Sequence, residues 1–478
     1  MTEPGIAEVS PPPGEAKIRL GKNYWKLWSA SVVSNLGDGV ALIAYPWLAS
    51  AVTRDPFLIA LIAVAQRLPW LVFSLPAGVI TDRLDRKKIM MWSSVFRTGL
   101  TGVVAVVVLM ASDTLPSPTA IGDGPVSTNL TVYLTLVFAA LLFGVAEVLF
   151  DNSAQTILPA IVEPEGLETA NGRLWGAEMV MNSFAGPPLG SLMIAAGFAV
   201  PFFFDMGTFA VSAALIFTVA GVFTANGASD PVLKSERKGF WAEIKEGMAW
   251  LWGHPLLRPL AIILGLLNGL GSLTIATFIL FAQEVLGVTA FTFALIGMAG
   301  AVGGAIGAVA APRFTKRFGS GTSLYVTLLG TIATSLAVGL SSNWVFAGVM
   351  MAGMALTGSL WNVITVSLRQ TIIPDHLLGR VNSVYRFFGW GMMPIGLALG
   401  GLIVRVSESA GVDRVMALRL PWFIAGAAIL VLFVWAAPKL TTEKIDSARS
   451  EGIAAKQGTA DRGQGTGDRG QGTGDRGQ

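Results

Sequence analysis

The chain has 478 residues, of which 53% are hydrophobic and only 13% charged, about half the roughly 25% charged share of soluble domains. With a mean hydropathy of +0.63, this excludes an ordinary soluble enzyme and implies many membrane spans, since one span needs only ~20 apolar residues. The net charge of +3 is carried between apolar runs rather than on a nucleic-acid-binding face, and the absence of cysteine excludes disulfides, thiolate metal sites and cysteine nucleophiles.

Residues 1–26 are polar, with consecutive prolines at Pro11, Pro12 and Pro13. They read as a disordered cytoplasmic arm rather than a cleaved signal peptide, which would run from basic to apolar. Apolar runs then follow at 27–50, 57–80, 89–110, 131–157, 172–196, 199–223, 257–283, 290–311, 322–340, 344–368, 380–404 and 418–437. Each is near the length a membrane helix needs, so twelve spans are expected. Basic residues mark cytoplasmic loops. They follow the second run (Arg83, Arg86, Lys87, Lys88), the sixth (Lys234, Arg237, Lys238, Lys245) and the eighth (Arg313, Lys316, Arg317). The loops Ala111–Asn129 and Ser341–Asn343, after odd runs, have none, and Arg54, Arg405 and Arg414 depart from the pattern. Both termini are therefore expected inside.

The linker 224–256 separates a first bundle of six runs, 27–223, from a second, 257–438. Within it, Phe240 to Trp252 reads as an amphipathic interfacial helix, with Phe240, Trp241, Ile244, Met248 and Leu251 on one side, against the alternative of a plain linker. The two halves resemble each other. Gln155-Thr156-Ile157-Leu158-Pro159 ends the fourth run, and Gln370-Thr371-Ile372-Ile373-Pro374 ends the tenth, 215 residues later. Arg83, Arg86 and Lys87 likewise align with Arg313, Lys316 and Arg317. Six-helix halves related by an axis along the membrane normal are a transporter architecture. The remaining segment, 439–478, carries a seven-residue repeat, Asp461-Arg462-Gly463-Gln464-Gly465-Thr466-Gly467, begun again at Asp468 and Asp475. With no apolar position to bury, it is expected to be a disordered Gly-rich cytoplasmic tail.

The loop Gly78-Val79-Ile80-Thr81-Asp82-Arg83-Leu84-Asp85-Arg86-Lys87 matches the G-x-x-x-D-R-x-x-R-[KR] motif between helices two and three of the major facilitator superfamily. Gly78 is expected to let two helices approach closely, and the basic cluster to hold the loop at the cytoplasmic surface. Asn35-Leu36-Gly37-Asp38-Gly39 and Gly379-Arg380-Val381-Asn382 resemble the branch of that superfamily containing the enterobactin exporter and macrolide efflux pumps. The resemblance covers Trp28 to Trp435. It implies an all-α membrane protein whose twelve transmembrane helices form two pseudo-symmetric six-helix bundles, the major facilitator fold, with Asp82 meeting the start of helix eleven near Gly379-Arg380. Gly186-Pro187-Pro188-Leu189-Gly190 partly matches the family's antiporter motif, G-P-x-x-G. It reads equally as a kinked packing helix, since Pro bends a helix and Gly permits close contact. One departure concerns helix four. Leu136 to Phe143 is wholly apolar, lacking the arginine that many drug–proton antiporters carry there.

Charged residues inside spans cost about 2.5–3.5 kcal/mol each on insertion scales and default to functional candidates. Asp38, Arg67, Arg97, Glu147, Glu178 and Arg386 are the coupling candidates, with structural ion pairing as the alternative for each. Arg97, Glu147 and Glu178 fall in the cytoplasmic third and could form one network. Asp38 and Arg67 each lie ~15 Å into their helices, at one depth, which predicts that they pair. Trp361, Trp390 and Met392, with Trp47, Trp70 and Met393, either line an apolar substrate cavity or serve as interface and packing residues. The glycines Gly303, Gly304 and Gly307 imply close helix packing. No G-x-x-x-x-G-K-[ST] run is present, so ATP does not drive the protein through a P-loop.

The expected function is a multi-pass exporter in the cell membrane. It moves a hydrophobic or amphipathic, drug-like molecule by alternating access in exchange for protons, as a monomer, with no cofactor, metal or nucleic acid. A specific siderophore or lipid-like metabolite is the alternative cargo. A channel or a membrane-embedded enzyme is the alternative class, the latter disfavoured by the absence of intramembrane His and Cys.

Overall fold

The computed structural model describes residues 20–118, 127–224 and 240–467, and every regular element among them is helical. The first bundle comprises α1 (Lys22–Val52), α2 (Pro56–Val72) with α3 (Ser74–Arg83), α4 (Arg86–Met110), α5 (Leu130–Ile161), α6 (Leu167–Val180) with α7 (Gly186–Ala196), and α8 (Val200–Phe217). After α9 (Phe240–Gly253), the second comprises α10 (Leu257–Ile275) with α11 (Phe278–Glu284), α12 (Ala290–Phe318), α13 (Ser320–Leu340), α14 (Trp344–Ile372), α15 (Asp375–Ser409) and α16 (Arg414–Ala436). Ten described helices are long and apolar enough to cross a membrane. The jointed pairs α2/α3 and α6/α7 supply the second and fifth spans, so each apolar run of the sequence has its helix.

The joints have backbone causes. Pro76 has no N–H to give the carbonyl of Val72, where α2 stops. Pro187 and Pro188 leave Ser183 and Phe184 without their usual donors, and Met181–Ala185 widens into a π-turn closed by the Gly186 N–H on the Met181 carbonyl.

Sequence neighbours are not spatial neighbours. α1 packs on α7 and α8 and scarcely meets α2, which lies instead against α5 and α15. The α1–α7 approach is backbone to backbone: a Cβ on Gly186 would stand 2.5 Å from the Gly39 Cα, and one on Gly190 2.7 Å from the Val40 carbonyl oxygen. Gly186, Pro187 and Gly190 thus form a kinked packing site. In the second half, Gly303 and Gly307 press α12 onto the α14 carbonyls of Ala352 and Leu356, as their small size predicts.

The two bundles share a core at only one end. At the face remote from the chain termini, Trp47, Val108, Tyr133 and Phe202 of the first half cluster with Phe281, Ile296, Ala347 and Trp422 of the second. At the terminal face each half has its own core, built on Leu27, Met90 and Ile157 in one and on Leu260, Leu368 and Tyr385 in the other. α9 docks on α15, with Leu251 fully buried. It is a helix packed on a span, beyond a plain linker.

Two segments depart from the sequence reading. Lys22 to Lys26, expected in the arm, already belong to α1, and the arm's first 19 residues lie outside the described residues, as do linker residues 225–239. The expectation of an unpacked tail is corrected over α17 (Thr442–Gly467). Ile445 is fully buried, Gly452 lies against Ile372, and Lys456 Nζ donates to the Gln370 carbonyl at 2.9 Å. The reason is a stripe of Ile445, Ala448 and Gly452 at helical spacing, too narrow to lift the segment's mean hydropathy. The repeats from Asp468 onward lie outside the described residues.

Ile445→Ser should therefore cost about 2–3 kcal/mol, as for loss of a buried aliphatic side chain. It should lower the Tm of the purified chain while the exposed Glu443→Ala leaves it unchanged. Equal melting of both variants would show that α17 does not dock.

Candidate functional site

The loop between α3 and α4 is organised by a residue the motif reading passed over. Asp85 caps α4, its Oδ1 accepting from the Lys87 N–H at 3.0 Å and from the Phe223 N–H beyond α8 at 3.2 Å. Arg86 Nη1 donates to the Thr156 carbonyl of α5 at 2.9 Å, and Lys87 Nζ stands 5.7 Å from the Phe217 ring centroid. Arg83 is exposed. The loop thereby ties α4 to α5 and α8 within one half. Among the described residues a Cβ on Gly78 would meet nothing within 4 Å, so the expected close helix approach is not seen there. The Asp82 side chain lies outside the described atoms. Arg380, its expected neighbour on α15, donates to Glu246 of α9 at 3.0 Å.

In the first half the intramembrane charges converge around Arg97, which is 2% exposed on α4. Its guanidinium carbon lies 4.4 Å from the Phe209 ring centroid, 4.5 Å from Phe150 and 5.7 Å from Phe143. Nε and Nη2 have no hydrogen-bond partner. Three aromatic faces hold the cation where a carboxylate pair would be expected. Asp205 of α8, 1% exposed, accepts from Thr208 Oγ1 and rests on the α1 backbone, its Oδ1 2.3 Å from where a Gly37 Cβ would be. The Asp205 Oδ2 is without a partner.

Asp38, Glu147 and Glu178 share this half with Arg97 and Asp205, and among the described residues no ion pair joins any of them to Arg97. Asn182 in the π-turn donates to Asn35 of α1 at 3.0 Å, closing the polar surface between them. Among the described residues no ion pair joins Asp38 to Arg67, contrary to expectation. Arg67 is exposed on α2, and α1 and α2 scarcely touch. Equal depth on consecutive helices did not make them neighbours.

The second half encloses a cavity of about 420 Å³, lined among others by Asn268, Trp361, Arg369, Arg386 and Trp390. Trp361 and Trp390 line it as expected. Met392 does not, packing instead on Gly265 and Gly269 of α10, which corrects its assignment. The Trp390 ring also reaches across the halves to Trp70, with centroids 4.9 Å apart, and Trp70 Nε1 lies 3.5 Å from Glu147 Oε2. An aromatic pair thus connects the acidic cluster of one half with the cavity wall of the other.

The arginines that broke the loop-charge pattern form a bridge between halves at the remote face. Arg54 Nη2 meets Glu284 Oε1 at 2.5 Å, Arg414 Nε meets Glu284 Oε2 at 2.8 Å, and Arg414 Nη1 meets Glu408 at 2.5 Å. Arg54 also donates to Gln283, which in turn donates to Ser50 of α1. Burial pulls the Arg54 guanidinium below its ordinary pKa, and Glu284 opposes that shift. Sequence reasoning met these residues only as exceptions to a rule, and that exception was the available signal.

A family model described as Major Facilitator Superfamily matches residues 27–397. The multidrug efflux pump Tap of Mycolicibacterium fortuitum is 26% identical over 415 residues, covering 84% of this chain and 94% of that protein. The enterobactin exporter EntS of Salmonella typhimurium is 24% identical over 383 residues, covering 78% and 84%. A bacterial homologue of the iron transporter ferroportin, in its inward-facing crystal structure, superposes with a TM-score of 0.65 over 87% of this chain and 98% of its own, at 17% identity. That likeness concerns the fold.

Glu284→Gln should loosen the remote face, since it weakens ion pairs to both Arg54 and Arg414. Because the chain has no cysteine, a single Ala44→Cys in the shared core, 1% exposed, reports opening directly. Labelling by a membrane-impermeant maleimide should rise several-fold in the Glu284→Gln background. Unchanged labelling would show that the ion pairs do not hold the face closed.

Proposed function

Because the chain belongs to the Major Facilitator Superfamily, we propose that this multi-pass plasma-membrane protein is an exporter. It moves hydrophobic or amphipathic small molecules outward by alternating access, in exchange for protons. The observation that carries the reading is the unequal joining of the halves: a shared core and an ion-paired bridge at one face, and separate cores at the other. A transporter resting with one face closed needs that asymmetry, and reversing it moves the access of a central site from one side to the other. With both termini cytoplasmic, as the loop charges favour, the resting state receives substrate from the cell interior. The relatives Tap and EntS, a multidrug efflux pump and an enterobactin exporter, support outward transport of drug-like or siderophore-like cargo.

The proton reading rests on the cluster around Arg97. Asp205 is buried on α8 against α1 and Glu147 lies 3.5 Å from Trp70 Nε1, and acids held inside spans are candidates for a proton path. The fourth span carries no arginine at Leu136–Phe143, but the guanidinium of Arg97 on the third span lies against Phe143 and Phe150 of the fourth. Arg97 supplies the missing cation from a neighbouring helix. Trp70, beside Glu147 and tilted against the Trp390 ring, offers a route by which a change of charge in one half shifts the wall of the other. The protein works as a monomer, since each half completes its polar cluster from its own spans.

In cells stripped of other exporters, expression of the chain should lower accumulation of a fluorescent amphipathic drug, and a protonophore should restore it. Glu147→Gln and Glu178→Gln should abolish response to a pH gradient while leaving downhill exchange. Arg97→Met should reduce export to background at equal membrane abundance. Full proton-driven efflux in both glutamine variants would overturn the coupling assignment.

A further inference from the structure

The cavity of the second half carries charge of one sign among its described lining residues. It is lined among others by Arg369, Arg386 and Tyr385 and by no described Asp or Glu. Two of its donors are buried without an acceptor: Nε of Arg369 and Nε1 of Trp361, the latter on a side chain only 4% exposed. An unmet buried donor costs about 1–3 kcal/mol, and an acceptor brought into the cavity recovers that cost. The guanidinium of Arg369 is held rather than free. It stacks 4.4 Å from the Tyr385 ring centroid, and the Tyr385 hydroxyl donates to the Leu257 carbonyl at 2.5 Å. Arg386, one turn of helix from Asn382 on α15, is exposed to the cavity side and pairs with no carboxylate among the described residues. The rest of the wall joins apolar and aromatic side chains, among them Leu264, Leu267, Ile429 and Trp390, with neutral polar ones such as Asn268 and Asn362.

We propose that this cavity is a substrate subsite for amphipathic anions: an aromatic or apolar body against Trp390 and the leucines, and a carboxylate, sulfonate or phenolate accepting from Arg369, Arg386 and Trp361. The volume of about 420 Å³ lies in the range of small-molecule pockets and takes a fused-ring acid. The inference rests on the export reading and narrows its cargo. The cationic wall also gives the site its selectivity, because an organic cation entering it would meet two like charges and no carboxylate among the described lining residues.

The test is equilibrium binding to the full chain in neutral phosphatidylcholine nanodiscs, read by fluorescence anisotropy. Fluorescein serves as the anionic probe and rhodamine 6G as the cationic one. Fluorescein should bind, with Kd rising about tenfold, ~1.4 kcal/mol, in Arg369→Gln and in Arg386→Gln. Arg386→Lys should restore most of the affinity, and Trp361→Phe should weaken it less. Rhodamine 6G should show none of these changes. Equal effects on both probes, or fluorescein binding that ignores both arginine variants, would overturn the proposal. Replacing a fifth of the lipid by phosphatidylglycerol should leave fluorescein binding unchanged, and competition lost in the arginine variants would assign the anion site to a lipid headgroup, overturning the substrate reading. Arginine-dependent binding without export in cells would leave the subsite standing and refute export, and export without charge selection would do the reverse.

Discussion

Charge placed within the thickness of a membrane has to be held by something, and in this protein the holders differ between the halves. Arg97 is stacked among three phenyl rings with two of its nitrogens unmatched. A carboxylate locked to it in a bidentate pair would be a static strut. Aromatic faces instead support the cation without neutralising it, so the surrounding acids stay responsive to its field. The backbone contact of α1 with α7 belongs to the same arrangement. Gly37 brings α1 close enough for the Asp205 carboxylate to rest on it, and Gly39 lets the π-turn and Gly186 approach the same helix. Larger residues there would move the acids apart before they altered any charge.

The second constraint is the contrast between the two faces. The remote face combines a continuous apolar core with ion pairs that cross between halves, from Arg54 of the first to Glu284 of the second. Neither alone would serve. Apolar burial is non-directional and tolerates sliding, whereas the charge pairs fix register. At the terminal face α9 and α17 pack on α15 and on the α14/α13 ends within one half, so that half is stiffened without being tied to the other. Rigid halves with one releasable seam are what rocking about a central site requires.

Much of this was legible in the chain, and what was not has identifiable reasons. Hydropathy located the twelve spans because backbone groups in lipid leave few alternatives to helices. The glycine and proline patterns at Gly186–Gly190 and Gly303–Gly307 announced close packing, and contacts of the backbone followed. Lateral arrangement was not legible. Depth along a helix is counted in residues, but the neighbour of a helix is chosen by the whole bundle, so Asp205 of α8 came to rest on α1 at Gly37 while Arg67 was left exposed. Met392 shared its helix with Trp390 yet faced α10, two residues of helix having turned it away. The bridge at the remote face hid in charges that looked like exceptions, because a loop rule concerns insertion and not what the loops later bind. Ile445 was diluted by its polar neighbours.

The separate cores at the terminal face have a consequence for descent. Each bundle carries its own packing there, and the arginine-lined cavity belongs to one of them alone. A substitution that reshapes the cavity wall need not disturb the packing or the charges of the other bundle. Lineages of such a chain can drift in the shape of that cavity while inheriting the other bundle unchanged, with the aromatic contact of Trp70 and Trp390 as the narrow place where the two histories must stay compatible.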